Sequence, residues 1–144
     1  GIADNGVLLY MDLDNFKQYN DTYGHNVGDS ILRVFADIIR SNVGDLGYAI
    51  RYGGDEFVVV IPEEDENLAE KIAGNIQRQL KEDSPQRIAV EGLKLTSSVG
   101  IASYENAGAS GLESALMMAD RSLYYVKSRE KGKVARWSQI RNQI

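Results

Sequence analysis

Tyr48-Ala49-Ile50-Arg51-Tyr52-Gly53-Gly54-Asp55-Glu56-Phe57-Val58-Val59-Val60-Ile61-Pro62 is a pair of β-prone runs separated by two glycines. β-Branched and aromatic residues fill both arms, and Pro62, which cannot donate to a ladder, ends the second. Two adjacent glycines can take the positive φ angles of a tight primed turn, so the stretch predicts a hairpin turning at Gly53-Gly54. That turn delivers two carboxylates, Asp55 and Glu56, to the end of a strand.

A second acidic stretch lies upstream. Val7 to Met11 is almost wholly apolar and predicts a central strand buried on both faces, ending in Asp12 and Asp14. The pattern then turns helical, with Asp14 as N-cap (a metal role is its alternative), Phe16 and Tyr19 on one face, and Gly24 as the break. A second helix is expected from Gly28-Asp29, with Ile31, Leu32, Phe35, Ile38 and Ile39 at helical spacing. Downstream of the hairpin, Leu68, Ile72, Ile76 and Leu80 step along a third helix that Ser84-Pro85 interrupts. Ile88 to Val90 and Leu93 to Ala102 read as two further strands, and Glu105 to Gly111 as a surface loop. Leu112, Leu116, Ala119, Leu123 and Val126 mark a last long helix, after which Val134 to Trp137 would close the sheet. One sheet with helices packed on it follows from this order.

Asp12 and the Asp55-Glu56 pair thus stand at the ends of strands. If those strands are neighbours, three carboxylates converge, and they stay ionised together only with a compensating cation. Mg²⁺ suits such a site, because it takes oxygen ligands and completes its octahedron with water and substrate phosphates. The bare backbone of Gly53 and Gly54 would let a triphosphate approach closely. Taken singly, each acid is more ordinarily a cap or turn residue. A calcium loop opening at Asp12 and Asp14 fails, because the next ligand position is Phe16, the required glycine is Lys17 and the closing glutamate is Tyr23.

Bulk composition narrows the classes. The 144 residues, 43% hydrophobic and 26% charged, fit one globular domain. A chain of this size buries roughly two-thirds of its unfolded surface, so neither disulfide nor structural metal is needed for stability. With no cysteine and one histidine, His25, thiolate catalysis and Cys- or His-rich zinc sites are excluded. A net charge of −5 argues against nucleic-acid binding, and no apolar run approaches a membrane span. Asn20-Asp21-Thr22 matches a glycosylation sequon by accident in a domain expected to be cytoplasmic.

Met11 to His25 followed by Gly28-Asp29, then Arg51-Tyr52-Gly53-Gly54-Asp55-Glu56-Phe57, Leu95-Thr96-Ser97-Ser98-Val99-Gly100 and Ala119 to Lys127 occur in the order of the motifs of GGDEF domains, the diguanylate cyclases. The chain resembles that family over roughly residues 7 to 135. The resemblance implies an α+β fold: a central, mainly antiparallel five-stranded sheet surrounded by helices, similar to the polymerase palm and class III nucleotide cyclases. It implies condensation of two GTP into cyclic di-GMP at a homodimer interface, with Mg²⁺ as cofactor and Mn²⁺ as its substitute. By position, Asp12, Glu56 and the Leu13 carbonyl would hold metal, and Asp55 would be a further ligand or the base. Asn20 and Asp29 would recognise guanine, Gly53 and Gly54 would admit the phosphates, and Lys127 and Lys131 would steady them. Lys17 and His25 belong to the pattern without an assigned role.

Two departures carry consequences. The family's Arg-x-x-Asp product site falls on Gly44-Asp45-Leu46-Gly47, which lacks both side chains, so no product feedback is expected there. Glu130 stands where the family has glycine, leaving Lys131 and Lys133 as competing phosphate contacts. Gly1 to Gly6 do not resemble the family's usual lead segment, so a domain cut from a longer protein with an upstream sensory part is expected. The competing functions are a GTP-binding receptor module without turnover and a purely structural or dimerisation domain.

Overall fold

The computed structural model describes residues 4–106 and 108–143. Five strands form one sheet: β1 (Gly6–Leu13), β2 (Tyr48–Arg51), β3 (Glu56–Pro62), β4 (Ser97–Tyr104) and β5 (Val134–Arg136). Their spatial order is β2-β3-β1-β4-β5, antiparallel throughout except for the parallel β4–β5 pair. The helices are α1 (Phe16–Tyr23), α2 (His25–Val43), α3 (Glu66–Ile88), α4 (Ala109–Arg129) and the short α5 (Trp137–Ile140). The expected α+β architecture is therefore present. Central β1 is buried at every residue, because helices cover both faces of the sheet.

Alternation along β1 divides the core. Val7, Leu9, Met11 and Leu13 join Phe57, Val59 and Ile61 against Ile31, Phe35 and Ile39 of α2 and Ile72, Ile76 and Leu80 of α3. Leu8 and Tyr10 join Val58 and Val60 against Ala115, Ala119 and Leu123 of α4. Asp12, next in the even series, shares the α4 side.

Local differences from the sequence reading have physical causes. Gly53 and Gly54 are not among the positive-φ residues, and no primed turn forms. Instead the Tyr52 N–H donates to the Glu56 carbonyl at 2.9 Å, leaving Gly53 to Asp55 as the loop and Glu56 as the first residue of β3. Asp14 does not cap α1: the N-cap is Asn15, in left-handed conformation at φ 60. α2 opens at His25, three residues ahead of Gly28. α3 continues through Pro85 to Ile88, its last turn held by Ile88 on the core, and ends at left-handed Ala89. Ile88 to Val90 is therefore no strand, and β4 begins at Ser97 rather than Leu93, although Leu93 and Leu95 are buried. The last strand stops at Arg136, since Trp137 opens α5. Of the expected 105–111 loop, Ala107 lies outside the described residues and α4 already begins at Ala109.

Candidate active site

The two acidic stretches meet by strand pairing. Asp12 lies directly across from Glu56 in the β1–β3 ladder and from Ser98 in the β1–β4 ladder. Asp12 is 6% exposed; its Oδ2 accepts from Lys127 Nζ of α4, and its Oδ1 is buried without a hydrogen-bond partner. Burial pushes the Asp12 carboxyl up to about 6, against the pull of Lys127, with the Asp55 and Asp14 charges adding to the rise. Burial likewise raises the Asp55 carboxyl, offset by a hydrogen bond from its own backbone and by Lys127. Glu56 is held from the sheet: the Tyr10 hydroxyl donates to its Oε2 at 3.1 Å. Burial, and that bond to Glu56, push the Tyr10 hydroxyl far above its usual range, so it stays a protonated donor.

A buried carboxylate oxygen lacking a donor is costly, and a cation beside Asp12 Oδ1 would relieve it. The all-oxygen donor set fits Mg²⁺ or Mn²⁺. Among the described residues no three Asp, Glu, His or Cys side chains group closely enough to cage a metal by themselves. The expected convergence of three acids is therefore no ready-made cage. One or two carboxylates, with water and phosphate completing the shell, is the usual arrangement for Mg²⁺.

The glycine loop is clasped by Arg51, which reading the sequence alone missed. Its Nη2 donates to the Gly54 carbonyl at 2.7 Å and its Nε to the Gly53 carbonyl at 3.3 Å. The Leu13 N–H reaches the Asp55 carbonyl at 3.4 Å, which ties this loop to the end of β1. The space above Gly54 is open.

Asn20 lies in α1 and Asp29 in α2, one residue after Gly28. Gly28 is packed directly against the Asn20 side chain, where any Cβ would overlap Asn20 Oδ1. Asn20 Nδ2 also lies 3.2 Å from His25 Nδ1, an acceptor in the Nε2-protonated tautomer, which gives His25 a holding role. Asp29 is exposed on a polar cleft of about 330 Å³ shared with Arg33, Asp37 and Arg51. Wider clefts lie beside β2 and beside α5, and neither is lined by Asp12 or Glu56. At the other end, Lys131 Nζ donates to Asn15 Oδ1 at 2.9 Å, next to the tip of β1. Lys133 pairs only loosely with Glu130, at 3.9 Å and exposed.

A family model described as "Diguanylate cyclase, GGDEF domain" matches residues 3–133. The chain belongs to the GGDEF domain family. Diguanylate cyclase DosC of Escherichia coli (strain K12) is 36% identical over 130 residues, covering 90% of this chain and 28% of that protein. Response regulator PleD of Caulobacter vibrioides (strain NA1000 / CB15N) is 38% identical over 128 residues, covering 88% of this chain and 28% of that protein. The GGDEF domain of DgcB from Caulobacter crescentus, solved in complex with c-di-GMP, superposes with a TM-score of 0.84 at 27% identity, over 93% of this chain and 78% of that one. The chain thus spans less than a third of the length of both curated relatives.

In this GGDEF domain the contacts that hold the acidic side chains and their loop are the part sequence reading missed. Tyr10, Arg51, Thr96 and Ser98 touch the carboxylates or their loop, yet read in sequence as strand residues. Among the described residues no helix is long and apolar enough to cross a membrane.

Proposed function

We propose that this GGDEF domain is a diguanylate cyclase, which binds GTP with Mg²⁺ and, facing a second copy, joins two GTP into cyclic di-GMP. The observation that carries this reading is the pairing of Asp12 with Glu56 at adjoining strand ends, with one Asp12 oxygen buried and unpaired. Asp12, Glu56 and the Leu13 carbonyl are the metal ligands in this reading. Bound Mg²⁺ would neutralise phosphate charge and ease ionisation of the attacking hydroxyl.

Asp55 or Glu56 takes the proton as the 3′-oxygen of one GTP attacks the α-phosphorus of the other. The bond from that phosphorus to the bridging oxygen breaks and pyrophosphate leaves; a reciprocal step closes the ring. Burial raises Asp55 above the ordinary carboxylate range, which makes it a better proton acceptor than a free carboxylate. Asp29 accepts from the ring N–H and exocyclic amine of guanine, a donor pair that adenine lacks. Asn20, held by Gly28 and His25, is the second guanine contact. Gly53 and Gly54 admit the triphosphate, while Lys127 and Lys131 meet its terminal phosphates.

One domain cradles one GTP, so a homodimer with antiparallel nucleotides completes the reaction and pairing sets the rate. The domain works in the cytoplasm as part of a longer protein whose upstream region controls pairing. The small share of each curated relative that it covers supports its being part of a longer protein. The test is to incubate pure protein with GTP and Mg²⁺ and resolve cyclic di-GMP and pyrophosphate, with Glu56→Gln as control. Product from wild type alone upholds the cyclase. GTP binding without product would leave a receptor module, and no GTP binding a scaffold.

A further inference from the structure

We propose that Asp14 is a positioning residue for the phosphate end of the site, acting through the Ser98 hydroxyl and the Gly132 amide on the turn that carries Lys131. This rests on the reading of Lys131 as a phosphate contact. Asp14 is 1% exposed, yet it neither caps α1 nor pairs with a cation among the described residues. Both of its oxygens are engaged: Oδ2 accepts from Thr96 Oγ1 at 2.6 Å and Oδ1 from Ser98 Oγ at 2.7 Å.

The direction of these bonds follows from the inventory of protons. The Gly132 backbone N–H can only donate, so Ser98 Oγ accepts there and its own single proton is free for Asp14. The lone pairs of Ser98 Oγ are then left to accept, and the Gly132 N–H donates to them at 2.9 Å. Gln77 Nε2 of α3 holds the same turn from the other side, donating to the Gly132 carbonyl at 3.2 Å and to the Ser97 carbonyl at 2.9 Å. With Gly132 pinned, Lys131 is directed onto Asn15, the residue after Asp14. A closed ring of contacts, Asp14 to Ser98 to Gly132 to Lys131 to Asn15, staples a turn 116 residues downstream to the end of β1. Asp14 accepts on both oxygens, which leaves the Ser98 lone pairs to receive the Gly132 N–H.

The test measures binding of two probes by calorimetry in Mg²⁺: α,β-methylene GTP, which cannot be cyclised, and GMP, which lacks the terminal phosphates. Lys131→Ala should weaken the triphosphate about fivefold and leave GMP unchanged, the scale of one exposed charge-assisted contact. Ser98→Ala should do the same, Ser98→Thr should restore binding, and the Ser98→Ala/Lys131→Ala double variant should be no weaker than Lys131→Ala alone. Thr96→Val removes the other hydroxyl on Asp14 but not the relay, and should leave the triphosphate-to-GMP ratio within about twofold of wild type. Ser98→Cys, a weaker acceptor of similar shape, replaces the alanine variant if that one folds poorly.

Equal effects of Ser98→Ala and Thr96→Val on stability, with the probe ratio unmoved, would make Asp14 merely structural and overturn the relay. Independent, multiplying effects in the double variant would overturn it too. If Lys131→Ala leaves the ratio unchanged, the relay falls together with the phosphate role of Lys131. Wild type that binds neither probe refutes the GTP reading itself.

Discussion

Replacing Asp12 by Asn should stabilise the metal-free domain while removing its response to Mg²⁺ and nucleotide. The folded protein raises this carboxyl from 3.8 to about 6, chiefly by burial. A group with a raised folded pKa contributes stability that is complete below about pH 4 and is lost as pH climbs through about 6. Near pH 7.5 the ionised Asp12 therefore costs the fold roughly two pKa units, or about 3 kcal/mol. Asn has the shape of Asp without the charge, and Lys127, 31% exposed, can turn to solvent when its partner is gone. A net gain of about 2 kcal/mol is expected, raising the melting temperature by about 4–8 °C for a domain of this size. Thermal unfolding followed by circular dichroism in EDTA at pH 7.5 reads this directly. At pH 4.5 most of the advantage should vanish, since wild-type Asp12 is then protonated. Adding Mg²⁺ and α,β-methylene GTP should stabilise wild type far more than the variant, because ligand bound only to the folded state adds its binding energy. A variant less stable than wild type in EDTA at pH 7.5, or one whose advantage ignores pH, would refute the idea that Asp12 holds an uncompensated charge for a cation.

Tyr10→Phe removes the donor on Glu56 Oε2 while keeping the ring packed against Tyr52. It should lower kcat about 10- to 100-fold with little change in melting temperature, the value of one hydrogen bond to a charged group. Asp29→Ala should raise KM for GTP about 10- to 100-fold and narrow its preference over ATP, measured by competition with each nucleotide. Calorimetry should find no tight cyclic di-GMP binding that depends on Asp45. Adding Asp at Gly47 should not create a site, because a Cβ there would overlap the Val60 carbonyl; the substitution should destabilise by about 1–3 kcal/mol.

How far each feature could be read from sequence depended on whether its cause was local. β1 declares itself by its apolar run, α4 by periodicity and the place of the hairpin by its glycines, because these signals act over a few residues. Pro85 inside α3 did not, since buried Leu80 and half-buried Ile88 hold that helix together from outside its own sequence. Leu93 and Leu95 misled in the opposite sense: they are buried and apolar, yet they precede β4 rather than belong to it. Asp14 looked like a cap because its neighbours in sequence begin a helix, whereas its partners, Thr96 and Ser98, are more than eighty residues away. Positions of the acidic residues along the chain were legible; the hydroxyls and the tyrosine that hold them became visible only through strand register.

Register is also what makes the site and the core one object. In β1 the odd residues enter the core beneath α2 and α3, while the even ones face α4. Tyr10, Asp12 and the residues paired with Asp12, Glu56 and Ser98, belong to the even side, where Lys127 also reaches in. A slip of one residue between β1 and β3 would set Met11 toward α4 and drive Asp12 into the opposite core with no lysine to meet it. Burying a bare carboxylate among Phe35, Phe57 and Ile39 costs several kcal/mol, so the apolar pattern that selects the fold rejects the slipped pairing. The alignment of Asp12 with Glu56 is therefore enforced by Val7, Leu9 and Met11, residues that never touch a substrate.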